Sequence, residues 1–115
     1  MTDNRLLDEL LLRGLDDWVM AAEVASLARS VGGAATDTEV RDMAVEAISA
    51  VVEDGLMQVG DVSDGGFFEW DMKPEDAVQR VASEWRALQR SPDIGEVCWL
   101  SNTPAGDARA KALGN

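Results

Sequence analysis

Histidine and tyrosine are missing from these 115 residues, and cysteine occurs once. Without histidine, the side chain most used as a general base and the commonest transition-metal ligand are both excluded. A single thiol, Cys98, excludes an intramolecular disulfide and fits a reducing cytoplasm. Its neighbours Val97, Trp99 and Leu100 are apolar, so it reads as a buried structural thiol, with no histidine to make it a nucleophile. Long hydrophobic runs are also lacking. The longest, Trp18 to Ala22, is far short of the roughly 20 residues a membrane span needs, so no membrane association is expected. The start, Met1-Thr2-Asp3-Asn4-Arg5, leads into leucines broken by Asp8, Glu9 and Arg13, which is not the pattern of a signal peptide. Bases are scarce: 10 against 22 acids, a net charge of −12.

The charge is unevenly spread. Residues 1–60 carry 12 acids against 4 arginines, and residues 61–80 carry 6 acids against 2 bases. Residues 81–115 balance at 4 of each. A field of this sign repels phosphate backbones and anionic surfaces and attracts basic proteins. Hydrophobic residues make up 46% and charged residues 28%, which places the chain among globular proteins. At this length one domain, residues 1–115, buries roughly two thirds of its unfolded surface without a metal or disulfide. Eight of the ten bases are arginine, a bias that resembles a protein from a GC-rich bacterial genome.

Periodicity marks the elements. A first helix is expected from about Asn4 to Arg13, capped by Asp3, with Leu6, Leu7, Leu10 and Leu11 inward and Gly14 as its stop. A second helical region opens at Asp16-Asp17; Met20, Val24, Leu27 and Val31 form its apolar stripe, and Trp18-Val19 is either helix start or a short extended piece. The third helix begins at Thr36-Asp37-Thr38-Glu39, a capping box in which hydroxyl and carboxylate each satisfy an orphan amide. It buries Val40, Met43/Ala44, Ala47, Ile48, Val51 and Val52 and ends at Gly55. Strands follow at Leu56–Val62 and Phe67–Met72 around an Asp64-Gly65-Gly66 turn. Alternation puts Phe68, Trp70 and Met72 on one face, expected to be the core, and Phe67, Glu69 and Asp71 on the other. A fourth helix runs from Pro74 to about Arg90, a covered strand spans Glu96–Ser101, and Thr103-Pro104 starts a short last helix to about Leu113.

Three segments in this order resemble the winged helix-turn-helix domain of bacterial regulators. Ala21-Ala22-Glu23-Val24-Ala25-Ser26-Leu27-Ala28 resembles its second helix. Val51-Val52-Glu53-Asp54-Gly55-Leu56-Met57-Gln58-Val59 resembles the end of its recognition helix feeding the first wing strand. Leu100-Ser101-Asn102-Thr103-Pro104-Ala105-Gly106-Asp107-Ala108 resembles the closing strand and helix start. The resemblance covers about residues 4–62 and 96–113. It implies an α+β fold with a three-helix core and a small antiparallel sheet, to which residues 66–95 add a strand and a helix, about 74–90, plus the short C-terminal helix.

The family's DNA contacts do not carry over. A recognition helix and wing need Lys or Arg for phosphates. Here the third helix carries Asp37, Glu39, Asp42, Glu46, Glu53 and Asp54 against Arg41, and the hairpin carries Asp61, Asp64, Glu69 and Asp71 against Lys73. Glu39, Asp42, Glu46, Ser49 and Glu53 recur at steps of 3, 4, 3 and 4, one helix face. Asp37 and Glu39 are accounted for by capping and the helix dipole. Asp42 and Glu46 are a like-charge i,i+4 pair costing about 0.2–0.5 kcal/mol, and Glu53 sits at the end where the dipole favours cations.

The expected function is therefore a non-enzymatic acidic module that binds a basic protein partner, in the manner of immunity proteins and antitoxins or by engaging a regulator. Asp42, Glu46 and Glu53 would supply charge and Phe67, flanked by acids, an aromatic anchor. The alternative is a winged-helix transcription regulator that binds DNA through a non-standard surface, with Arg80, Arg86, Arg90, Arg109 and Lys111 as its bases. Homodimerisation is compatible with both. No catalytic residue and no cofactor are expected. Asp61-Val62-Ser63-Asp64-Gly65 lacks the third alternating ligand and the late glutamate of a calcium loop, so no metal site is expected there.

Overall fold

A computed structural model of the chain describes residues 4–114; Asp3, the expected cap of the first helix, lies outside them. The elements are α1 (Asn4–Asp16), β1 (Val19–Met20), α2 (Ala21–Ser30), α3 (Asp37–Glu53), β2 (Met57–Ser63), β3 (Gly66–Glu69), α4 (Pro74–Leu88), β4 (Trp99–Asn102) and α5 (Pro104–Leu113). The four strands form one antiparallel sheet in the order β1-β4-β2-β3. This is a small winged-helix-like α+β fold in which β3 and α4 come, in chain order, between the two central strands β2 and β4.

One apolar core joins the layers. Val19, Leu100 and Val59 lie in register across β1, β4 and β2 and are buried with Val40, Ala44, Ile48 and Val51 of α3. From α4, Ala77, Val81 and Trp85 enter the same core. The inserted helix therefore packs on its own chain, against α3, and does not leave its apolar stripe open. The capping box at Thr36 forms as expected: Thr36 Oγ1 accepts from the Glu39 amide at 3.1 Å, and Glu39 Oε1 accepts from the Thr36 amide at 3.0 Å.

Four expectations change. Gly14 does not stop α1, which continues to Asp16. The Asn102 side chain lies over the position a Cβ at Gly14 would take, and Asn102 Nδ2 donates to the Leu11 carbonyl at 3.0 Å. Gly14 thus makes room for a residue from β4. Met20 belongs to a strand and not to the stripe of α2: Val19–Met20 pairs with β4, and the amide of Ala21, the first residue of α2, donates to the Cys98 carbonyl at 3.1 Å. The last strand starts at Trp99 and not at Glu96, because Val97 has φ 71° and the Cys98 amide donates back to the Glu96 carbonyl at 2.9 Å. This is a γ-turn with a β-branched residue in the left-handed region, a conformation that costs about 1–3 kcal/mol.

The fourth change concerns the hairpin. Phe68 and Met72 were expected in the core beside Trp70, yet only Trp70 is buried, and Phe68 is 57% exposed. Phe68 pairs with Asp61, on the same sheet face as Val59, but the hairpin tip runs beyond the helices that cover that face. The Trp70 amide still donates to the Val59 carbonyl of β2 at 3.0 Å; the chain then leaves the sheet, the Met72 amide bonding the Trp70 carbonyl at 2.9 Å in a second tight turn.

Candidate functional site

Asp42, Glu46 and Glu53 are exposed along the outward face of α3. Asp42 and Glu46 border a groove of about 320 Å³ between α3 and α4, whose apolar floor is Val45, Val78 and Ala82. Arg41, Ser49 and Arg86 complete its rim. Asp42 is paired with Arg41 at 3.1 Å, and the Ser49 hydroxyl donates to Glu53 Oε2 at 2.5 Å. The pair is exposed on the Asp42 side and contributes little by itself. Glu53 follows Glu46 by seven residues, about two helical turns. The rim carries two carboxylates and two guanidiniums over an apolar floor, a surface that can desolvate aliphatic groups between charged ones.

Phe67 does not join this face. In the register Gly60↔Glu69, Val62↔Phe67 and Gly60↔Trp99, Phe67 alternates onto the side of the sheet opposite Val59 and Leu100, away from the helices. It was expected as an exposed anchor. It is half-buried, and its cover is Trp18, with ring centroids 6.5 Å apart and planes tilted by 30°. Met20 and Trp99, cross-strand neighbours, are half-buried on the same outer face. Of the four tryptophans, Trp70 and Trp85 are core, while Trp18 and Trp99 form this outer aromatic patch.

Two basic side chains of the C-terminal half, Arg80 and Arg90, are engaged within the chain. Arg80 lies 3.7 Å from the ring centroid of Trp70 and bonds Glu84 at 2.7 Å. Arg90 grips both oxygens of Glu96 at 2.7 and 3.0 Å, and the Asp93 amide donates to Glu96 at 2.8 Å. The Arg90 guanidinium first, and the Asp93 amide second, hold the Glu96 carboxyl at about 2, down from 4.5. Such a group stabilises the fold fully above the unfolded value, and that contribution disappears as pH falls from about 4.5 through about 2. Acid titration followed by Trp99 fluorescence is expected to show a transition in that window that Glu96→Gln lacks.

Chemistry at the remaining candidates is limited. Cys98 is buried, and burial pushes its thiol up to about 12, so it stays protonated near neutral pH. Among the described residues, no group of three or more His, Cys, Asp or Glu side chains is placed to hold a metal ion. No helix among them is long and apolar enough to cross a membrane.

The groove itself was not legible in the sequence. Its floor joins Val45 to Val78 and Ala82, which belong to two helices separated by the whole hairpin, and only the packing of α4 on α3 brings them together. Compared with models of protein families, with curated proteins and with solved structures, the chain matches none of them.

Proposed function

We propose that this chain is a non-enzymatic, acidic protein-binding module that engages a basic protein partner through the outward face of α3, as immunity proteins and antitoxins do. The observation that carries the reading is the position of Asp42, Glu46 and Glu53. All three are exposed on the helix that would enter a DNA groove, and Asp42 and Glu46 border a groove with an apolar floor. Acids at these points disfavour phosphate and favour the Lys and Arg side chains of a nuclease or DNA-binding protein. The mechanism is electrostatic steering followed by competition for the partner's own nucleic-acid site. Phe67 lies outside this interface, because it packs on Trp18 across the sheet. A cytoplasmic location fits the lone buried thiol of Cys98.

The alternative, DNA binding through the C-terminal arginines, has less support. Arg80 packs on Trp70 and pairs with Glu84. The discriminating experiment is charge reversal of the pair Asp42→Lys and Glu46→Lys. Affinity for the basic partner is expected to fall by about tenfold or more, with a flatter salt dependence. Phe67→Ala is expected to leave that affinity within about twofold, since it removes no group from the α3 face. Unchanged affinity and salt dependence in the double reversal refute the reading. So does a mobility shift with duplex DNA at low salt.

A further inference from the structure

The α3–α4 seam has a second cavity, at the start of α3, which shares Arg41 and Arg86 with the groove beside Asp42 and Glu46 but is lined mainly by bases. It measures about 320 Å³. Arg41, Arg86 and Arg90 line it, three of only ten bases in a chain of 22 acids. Arg41 and Arg90 are oriented by Asp42 and Glu96. Each guanidinium has five N–H donors, so such pairs leave donors unused. Arg86 makes no ion pair among the described residues.

Two further donor sets belong to the same walls. The capping box satisfies the amides of Thr36 and Glu39, leaving those of Asp37 and Thr38, both wall residues, without an acceptor among the described residues. Trp85 also forms part of the wall. It is 1% exposed, and its indole Nε1–H has no acceptor among the described residues. A buried N–H left without a partner costs about 1–3 kcal/mol. Gln89, at φ 58°, ends α4 in a left-handed turn and adds its side-chain amide to the wall.

We propose that this cavity binds a small ligand through an oxyanion, a phosphoryl or carboxylate group. The wall residues come from the start of α3 and the end of α4, and Arg86 supplies a charge with no ion-pair partner among the described residues. Guanidinium forks match both oxyanions in geometry. The net charge of −12 does not oppose this, because charges beyond a Debye length of about 8 Å are largely screened at physiological salt. Asp37, the one carboxylate of the wall, is paired with Arg29 at 2.8 Å. The cavity is at the small end of the range for ligand pockets, roughly 300–1,000 Å³, which suits a free metabolite better than a nucleic-acid strand.

The test is a ¹H–¹⁵N NMR titration of the full chain with inorganic phosphate and, separately, with succinate. Saturable shifts are expected at the Trp85 indole, the Gln89 side-chain amide and the Asp37 and Thr38 amides, with a Kd of about 1 mM or tighter for at least one anion. The tighter anion identifies the group, phosphoryl or carboxylate. Arg86→Ala, an exposed position that leaves the core intact, is expected to weaken binding by about tenfold. Arg109→Ala removes the same charge from α5, which forms no wall of this cavity, and is expected to leave binding within about twofold. The absence of saturable shifts with both anions overturns the proposal. So does a loss in Arg86→Ala no larger than in Arg109→Ala.

Discussion

Trp85→Ala is expected to cost about 3–5 kcal/mol of folding stability, the largest loss from any single substitution considered. Trp85 is 1% exposed and the largest fully buried side chain of the molecule. With Ala77 and Val81 it forms the stripe by which α4 enters the common core. Truncation removes the indole's contacts and leaves a cavity that the flanking helices fill only in part. A domain of this size has about 5–15 kcal/mol in total, so the loss takes a large share. Trp85→Phe separates volume from polarity. It keeps most of the ring and discards an N–H with no acceptor, so it is expected to cost less than about 1.5 kcal/mol. Urea unfolding of both variants measures this. Equal losses would mean that the indole N–H has a partner important to the fold.

Gly106→Ala is the second large effect, and its sign runs against helix propensity. Gly106 lies in the first turn of α5, where alanine is normally preferred by about 1 kcal/mol. Here a Cβ would run into the Leu56 carbonyl oxygen, backbone that cannot swing aside. The close approach is built from several bonds. The Thr103 amide donates to the Leu56 carbonyl at 3.0 Å and the Thr103 hydroxyl to the Gly55 carbonyl at 2.7 Å. Thr103 Oγ1 in turn accepts from the Gly106 amide at 3.1 Å, capping α5. The clash is expected to outweigh propensity and destabilise by about 1–3 kcal/mol. A urea midpoint raised by the substitution would show that α5 does not dock this tightly on the α3–β2 junction.

The sequence disclosed features set by neighbours in the chain and concealed those set by distant ones. The capping box at Thr36, Pro74 in the first turn of α4 and the Thr103 cap of α5 are local chemistry, and each formed as expected. Gly14 reads as a helix stop by any local rule. Its reason is Asn102, a residue on β4 near the other end of the chain. A two-residue strand such as β1 has no periodicity to detect; only its pairing with β4 defines it. For the hairpin, alternation assigned the faces of Phe67 and Phe68 in agreement with the register. It could not say where along the strand the core ends, and so it misjudged which ring is exposed.

The candidate site divides in the same way. The acidic stripe of α3 is a matter of helical spacing and is exposed as spacing implies. Neither the apolar floor that Val78 and Ala82 add to it nor the adjoining arginine-lined cavity has a local signature. Both depend on α4 crossing α3.

The most direct test of the α3 face is affinity capture from the native cells in parallel with the wild-type chain and with the Asp42→Lys/Glu46→Lys variant, followed by mass spectrometry and a salt titration of whatever is retained. The expected result is a basic protein retained by the wild-type chain, released as salt is raised, and lost from the variant. Retention of the same protein by the variant with unchanged salt dependence, or recovery of DNA in place of a basic protein, would contradict it.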